Sequence, residues 1–403
     1  MAPGTAGAPR AGRYAILALI LAAQTVANIG PLGIPAIAAL IRDDLGLGLT
    51  QAGSFLSAYY IGPILMSLPA GTMADQWGIA RTLVLGQVVI GGGLLAVSAA
   101  GSYPVLVALL VAAGFGYGML NPTSTKAVMA WFPPSQRATV VGLKQVGLPF
   151  GGALGAALLP ALAVAAGWRL AVAASAILLF ATAAVSVALY RDPPDLPPPA
   201  PGTRQAVRTV LLTRDLWLVA LATLAFAAVQ TVWMAFLVLY LTDVVGLSLL
   251  AAGRHLALAQ VAGMAGRIGF GLLSDRVLGG RRRAPLALAG AGSALCSVVI
   301  AFSGPGTPAA LLVPVALVFG FCGIGWNGVQ HTLMAELAGP RSAGTAVGLG
   351  LAVSSLGVTL GPPVFGWSVE RLGGYRGPWL GLAAVMLGAL ALLAVVRERP
   401  RLA

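Results

Sequence analysis

Four basic side chains lie inside long apolar stretches of this sequence, whereas its eleven carboxylates lie in polar segments or at the ends of apolar ones. The four are Lys126, Lys144, Arg254 and Arg267. If those stretches cross a membrane, each charge costs at least ~2.5 kcal/mol at bilayer depth, so a cation there is a candidate functional group. Because no acid within the stretches can neutralise them, these residues favour the binding of an anion.

The composition places the chain in a membrane. Its residues are 58% hydrophobic and 9% charged, and the mean hydropathy is +0.92; soluble domains are nearer ~50% apolar and ~25% charged. Counting ~20 apolar residues per crossing, the sequence predicts an all-α membrane protein with twelve transmembrane helices. They begin near residues 14, 51, 82, 104, 139, 168, 216, 250, 285, 308, 344 and 376. The first stretch lacks a small-residue cleavage site, so we interpret it as a span and not as a signal peptide.

The net charge of +13 follows the membrane topology. With both termini in the cytoplasm, sixteen arginines fall in cytoplasmic segments and four in the opposite loops, which is the pattern of the positive-inside rule. The basic character therefore predicts orientation in the cytoplasmic membrane and no nucleic-acid partner. We expect a multi-pass monomer whose partners are the lipid bilayer and a small-molecule substrate.

The chain divides into two similar halves. Residues 1–190 and 216–403 each contain six spans, and residues 191–215 form a polar, proline-rich segment that we interpret as a cytoplasmic linker. Gly71 and Asp75 end the second span, and Gly271 and Asp275 end the eighth at an offset of 200 residues. A repeat at this distance predicts duplication of a six-helix unit.

The segment Gly71-Thr-Met-Ala-Asp75-Gln-Trp-Gly78-Ile-Ala-Arg81 resembles the loop signature of the major facilitator superfamily, although Gln76 stands where arginine is usual. The resemblance implies two pseudo-symmetric six-helix bundles that rock about a central site, giving alternating access. It also implies a gating role for the loop residues. These are Gly71, Asp75, Gly78 and Arg81, with Gly271, Asp275 and Arg276 in the second copy.

Polar residues of several spans fall at a similar depth. At ~1.5 Å of rise per residue, Arg267 and Lys144 lie ~10 to 12 Å from the cytoplasmic ends of their helices, and Asn121 and Asn327 ~13 to 15 Å. The resemblance places the spans that carry them around the central cavity. The predicted substrate-binding residues are Gln24, Asn28, Tyr60, Asn121, Lys144, Gln145, Trp233, Arg267, Asn327 and Gln330.

Arg267 leads this set because a guanidinium is always charged and can bind a carboxylate through two hydrogen bonds. The segment Gly266-Arg267-Ile268-Gly269-Phe270-Gly271 also resembles the eighth helix of monocarboxylate and oxalate carriers, where an arginine binds the substrate carboxylate. The alternative is an arginine bonded to helix carbonyl groups. For Lys144 we expect an ammonium group that faces water in the cavity, with snorkelling to the surface as the alternative.

His331 is the candidate for proton coupling, because histidine titrates near pH 6.5 when unperturbed and no carboxylate lies in a span. A hydrogen-bonded histidine between helices is the alternative. Lys126 and Arg254 lie nearer the ends of their spans, where we interpret Lys126 as a snorkelling residue and Arg254 as an interfacial anchor, with a role in transport as the alternative for each.

The leading hypothesis is a secondary transporter of small organic anions, and the alternative is an exporter of neutral or amphipathic compounds. The segment Gly147-Leu-Pro-Phe-Gly-Gly152 resembles the antiporter signature of drug exporters, but Leu148 is inserted and the fourth span lacks their arginine. A substrate-gated receptor is a third possibility. We find no phosphate-binding loop, metal-binding spacing or nucleophile with a base, so the sequence predicts neither an enzyme nor a cofactor.

Overall fold

The computed structural model describes residues 10–192, 208, 210–339 and 342–398. The described chain is built from helices and short connections. The helices are α1 (Arg10–Gly33), α2 (Ala38–Leu45), α3 (Leu49–Gln76), α4 (Ile79–Val97), α5 (Tyr103–Trp131), α6 (Pro134–Ala166), α7 (Trp168–Leu189), α8 (Arg214–Asp243), α9 (Leu249–Leu272), α10 (Arg283–Ala301), α11 (Ala309–Phe319), α12 (Asn327–Ala338), α13 (Ala343–Leu372) and α14 (Arg376–Val395).

These helices form the twelve predicted spans, and their starts lie within five residues of the predicted ones. Two spans are broken. A 3-10 turn at Ile34–Ile37 separates α1 from α2, because Pro35 has no N–H to continue the helical ladder. A π-helical segment at Gly320–Ile324 lies between α11 and α12. Eleven of the spans are long and apolar enough to cross a membrane on the residues described, and α3 is the remaining one.

Glycines let helices pack closely against each other within each half. A Cβ atom at Gly151 of α6 would collide with the carbonyl oxygen of Thr25 on α1, and one at Gly357 of α13 would collide with that of Leu224 on α8. Such small residues let backbones pack directly against each other in membranes. The two pairs occupy equivalent places in the two halves, as duplication of a six-helix bundle requires.

The two bundles meet at one end of the molecule. We call it the outer end: it holds the short connections 46–48, 244–248 and 373–375. Arg42 forms an ion pair with Asp243 across the halves, and Glu370 accepts hydrogen bonds from the backbone N–H and the hydroxyl of Thr50. The opposite, inner end holds the first and last described residues. The structure is therefore a state that is closed at the outer end.

Candidate functional site

Arg267 lies on α9 where the two bundles face each other. It is half-buried, and its Nη1 is 3.4 Å from the backbone oxygen of Gln145 on α6, which is a weak hydrogen bond. Its Nε is buried and has no hydrogen-bond partner among the described residues. None of the ion pairs formed by the described residues includes this guanidinium. Within the part of the chain that the structure describes, most of the N–H groups of the Arg267 guanidinium are thus free to donate hydrogen bonds to a ligand.

Three titratable side chains of other helices are close enough to interact electrostatically with Arg267. They are Tyr60 on α3, Tyr117 on α5 and His331 on α12. Together with the Gln145 carbonyl group, they bring residues of four other helices, from both bundles, to the guanidinium. A ligand bound there would contact both halves of the protein.

The N-terminal side of this site is a cluster of tyrosines and amides. The ring centroids of Tyr59, Tyr60 and Tyr117 are 5.7 to 6.4 Å apart. Gln24 donates a hydrogen bond of 3.4 Å to the Tyr117 hydroxyl, and Asn28 donates one of 2.6 Å to the Gln24 backbone oxygen. The side-chain oxygens of Gln24, Asn28 and Tyr59 are nonetheless buried without a partner.

The C-terminal side of the site is formed by α12. Asn327 and His331 are four residues apart and share a helix face, and Gln330 lies beside them with 2% of its surface exposed. Asn327 Oδ1 and Gln330 Nε2 are buried without a hydrogen-bond partner. Buried polar atoms are usually paired, so these unpaired ones make this face of α12 a candidate part of a site for a polar ligand.

Two residues of this site were missed by the sequence analysis. Tyr117 lies one helical turn before Asn121, and that spacing could have revealed it. Gln260 lies two turns from Arg267 on the same helix; it is fully buried, and both polar atoms of its amide lack a partner. A Cβ atom at Gly152 of α6 would collide with this amide, so Gln260 is set at the contact between the bundles.

The expectation that Lys144 faces water is wrong for this state, because the residue is fully buried between α5 and α6. Its Nζ donates to the backbone and side-chain oxygens of Asn121 at 3.1 and 2.8 Å, to Ser124 Oγ at 3.0 Å and to Thr125 Oγ1 at 2.8 Å. The ammonium group thus obtains its hydrogen bonds from neutral oxygens of its own bundle, and Asn121 is occupied by it.

Trp233 does not line the site either. It is 1% exposed, stacks on Phe319 at 3.9 Å and donates a hydrogen bond of 3.0 Å to Ser297 Oγ in the core of the C-terminal bundle. Of the two remaining cations, Lys126 is half-buried and Arg254 is exposed.

The predicted gating loops are only partly visible. Gly71 and Asp75 lie on α3, and the structure does not describe the surroundings of Gly71 or the side chain of Asp75. Gly78 has a φ of +89°, and Asp192 beside it accepts a hydrogen bond of 2.9 Å from the backbone of Ala80. Arg81 is exposed.

In the second copy, Gly271 has open space where a side chain would lie, and Arg276 is exposed. The ion-pair partner of Asp275 is Arg282 and not Arg276. Arg282 also contacts Glu336 at 3.2 Å, which joins the ends of three helices. Burial alone would lower the pKa of the Arg282 guanidinium, but its hydrogen bonds to Asp275 and Glu336 outweigh burial and raise it. These contacts tie the loop to its own bundle.

A layer of polar residues between two six-helix bundles is the arrangement expected of a membrane transporter. Among the residues that the structure describes, no group of three His, Cys, Asp or Glu side chains could hold a metal ion. The family model described as Major Facilitator Superfamily matches residues 16–357. The chain belongs to this superfamily, and it is a multi-pass integral membrane protein.

Similar proteins cover almost the whole chain. A Cupriavidus necator protein named probable sulfoacetate transporter SauU is 29% identical, over 94% of this chain and 93% of its own length. The hexuronate transporter of Bacillus subtilis is 27% identical, over 89% and 88%. A solved bacterial homologue of the human lysosomal transporter Spinster, inward-facing and occupied, matches with a TM-score of 0.81 at 19% identity, over 96% of this chain and 97% of its own. This last likeness shows the fold alone.

Proposed function

We propose that the protein is a secondary transporter that moves a small organic anion, of carboxylate type, across the cytoplasmic membrane. The observation that carries the proposal is the unpaired guanidinium of Arg267 between the two bundles. Both termini lie in the cytoplasm, with residues 1–190 and 216–403 as the moving bundles and 191–215 as their linker. They rock about the site so that it opens to each side in turn.

The free-energy cost of removing the Arg267 guanidinium from water favours an anionic substrate. An ion taken out of water without a partner costs several kcal/mol even after the protein relaxes. A carboxylate that binds the guanidinium through two hydrogen bonds offsets that cost and gains geometric specificity. The named relatives support the same class, because sulfoacetate and hexuronates are organic anions.

The unpaired amides and hydroxyls around Arg267 suit an anion that carries further polar groups. Gln24, Asn28 and Tyr60 would contact it from one bundle, and Asn327 and Gln330 from the other. Because the ligand bridges both bundles, its binding energy favours their approach. Lys144 and Gln145 support the site from α6, the lysine by orienting Asn121.

His331 is the residue that we propose for proton coupling. It is close enough to Arg267 to interact with the positive charge of the guanidinium. An anion bound at the guanidinium cancels part of that field, so proton uptake and anion binding favour each other by linkage. This arrangement favours movement of the proton and the anion in the same direction.

The test is uptake of labelled sulfoacetate, glucuronate and lactate by proteoliposomes containing the wild type, R267Q or R267K. We expect R267Q to lose saturable uptake by roughly 30-fold or more, because truncating one partner of a buried charge pair costs ~2 to 5 kcal/mol. R267K keeps the charge but not the planar fork, so its uptake should be intermediate. R254Q is the matched control, since Arg254 is exposed; it should transport like the wild type.

Thermal unfolding separates a lost site from a lost fold. R267Q removes a half-buried cation that has no acidic partner among the described residues, so its melting temperature without substrate should equal or exceed that of the wild type. Uptake of all three acids by R267Q at wild-type rates, together with extrusion of a neutral amphipathic dye, would refute the proposal and favour the exporter.

A further inference from the structure

A cavity of about 880 Å³ lies at the inner end of the C-terminal bundle, between the start of α10 and the end of α14. One wall is apolar and is made of Ala284 and Ala287 on α10 and Leu390 and Leu393 on α14. The rim is polar and includes the connection before α10, with Arg281 and Arg283. The cavity is remote from Arg267, and the transport mechanism does not use it.

The apolar wall continues into a surface that faces the membrane. Leu288 is 55% exposed next to the cavity on α10, and Leu387 is 58% exposed about one helical turn away on α14. Large apolar side chains exposed on a membrane-spanning helix face the acyl chains of lipids. The cavity therefore opens sideways at the level where this surface gives way to a polar loop. The alanines at 284 and 287 lie one turn apart and leave a groove that larger side chains would fill.

The charges at the rim favour an anion. Three arginines follow one another, and the middle one, Arg282, is bound to acids of the protein. Arg281 is exposed, and Arg283 donates a hydrogen bond of 2.7 Å to the Ala394 carbonyl oxygen. Neither belongs to an ion pair of the described residues.

Glu398 also lines the rim, and its carboxylate is engaged in hydrogen bonds within the protein. Its carboxylate accepts hydrogen bonds from the backbone N–H groups of Arg282 and Arg283. The rim thus presents the guanidinium groups of Arg281 and Arg283 beside an apolar groove, while the Glu398 carboxylate is hydrogen-bonded to the backbone.

We propose that this cavity binds one anionic phospholipid. The phosphate lies between the guanidinium groups of Arg281 and Arg283, where Arg can bind phosphate through paired hydrogen bonds. The first part of an acyl chain lies along Ala284 and Ala287, and each methylene group buried there strengthens binding. A free phosphate ion would satisfy the rim but leave the groove empty, so the occupant is a lipid.

The experiment uses the purified full-length protein in neutral detergent. Thermal unfolding is followed with increasing dioleoyl phosphatidylglycerol, and with dioleoyl phosphatidylcholine at the same mole fractions. Because a ligand that binds only the folded state raises its stability, phosphatidylglycerol should raise the melting temperature of the wild type more. Native mass spectrometry should show one retained phosphatidylglycerol per protein.

Two variants test the two parts of the site. R281Q should weaken phosphatidylglycerol binding about fivefold, which corresponds to the ~1 kcal/mol expected for one basic residue at an anionic lipid surface. A287F fills the groove without changing charge and should abolish the retained lipid. Their controls are R254Q, an exposed arginine at the other end of the fold, and L288F, an enlargement of the neighbouring exposed residue. Both controls should bind like the wild type.

Three results would overturn the proposal. The first is equal stabilisation by phosphatidylcholine or by inorganic phosphate, which would indicate general detergent replacement or an ion site. The second is undiminished lipid binding by A287F, and the third is an equal loss in R281Q and R254Q. All positions changed are exposed, so melting temperatures without lipid should match the wild type; a variant that melts early is compared by mass spectrometry below its transition.

Discussion

The ion pair between Arg42 and Asp243 joins the two bundles at the outer end, and breaking it should open that end. Its side chains are 19% and 24% exposed, and Arg42 also contacts Asp43 at 3.0 Å. Exposed pairs contribute ~0 to 1 kcal/mol and fully buried ones lose ~3 to 5 kcal/mol when one partner is removed. This intermediate exposure places the cost of D243N at ~1 to 2 kcal/mol. The population opened at the outer end should therefore rise by roughly 5- to 30-fold.

The assay is the rate of cysteine labelling behind the closure. Ser57 is 3% exposed and donates a hydrogen bond of 3.2 Å to the Val358 backbone oxygen across the halves. S57C would be made in a background in which Cys296 and Cys322 are replaced by alanine. A membrane-impermeant methanethiosulfonate reagent added from the outer side reaches this thiol only when the bundles part there. Its rate should rise by the same factor as the open population.

The chain supplies a matched control in a second ion pair at the same end. Asp44 binds Arg169 within the N-terminal bundle, so D44N makes the same chemical change without touching the contact between the halves. The reasoning is refuted if D44N speeds labelling as much as D243N, or if the rate for D243N stays within twofold of the parent.

Three further predictions concern single sites. In a double-mutant cycle of the free energy of unfolding, K144M and N121L should be coupled by ~1.5 to 3 kcal/mol, because each change removes the same hydrogen bond between the Lys144 ammonium group and the Asn121 side chain. Effects of the two changes that add within ~0.5 kcal/mol would contradict this prediction. G151V should lower the melting temperature and uptake, since its side chain meets a carbonyl oxygen of α1, whereas G142V has open space and should do neither. H331Q should flatten the pH dependence of uptake in proteoliposomes, and an unchanged profile would exclude this residue from proton coupling.

The helices could be predicted from the sequence because each span is a long apolar run with a clear polar end. What hydropathy does not show is a break inside such a run. The turn at Ile34–Ile37 and the π-helical segment at Gly320–Ile324 leave apolar composition unchanged and alter only the backbone pairing.

The candidate site was predicted in part, and its errors have a common cause. Depth along a helix follows from counting residues, so the sequence predicts that Arg267, Asn121 and Asn327 lie at a similar depth. The direction of a side chain depends on which neighbour its helix packs against, and counting does not give that. Lys144 therefore turns to Asn121 and not to the cavity, and Trp233 packs inside its own bundle.

Lys144 and Arg267 place one basic side chain inside a membrane-spanning helix of each bundle, and no ion pair of the described residues includes either of them. A charge that moves through the whole membrane field exchanges ~2.3 kcal/mol per 100 mV, so a rocking motion that shifts these groups responds to voltage. Bound anionic cargo cancels part of their charge. In the transport cycle that we propose, the proton that moves with the anion restores the charge that the anion cancels, so an interior-negative potential acts on the loaded and the empty carrier alike and draws their cationic groups towards the cytoplasm.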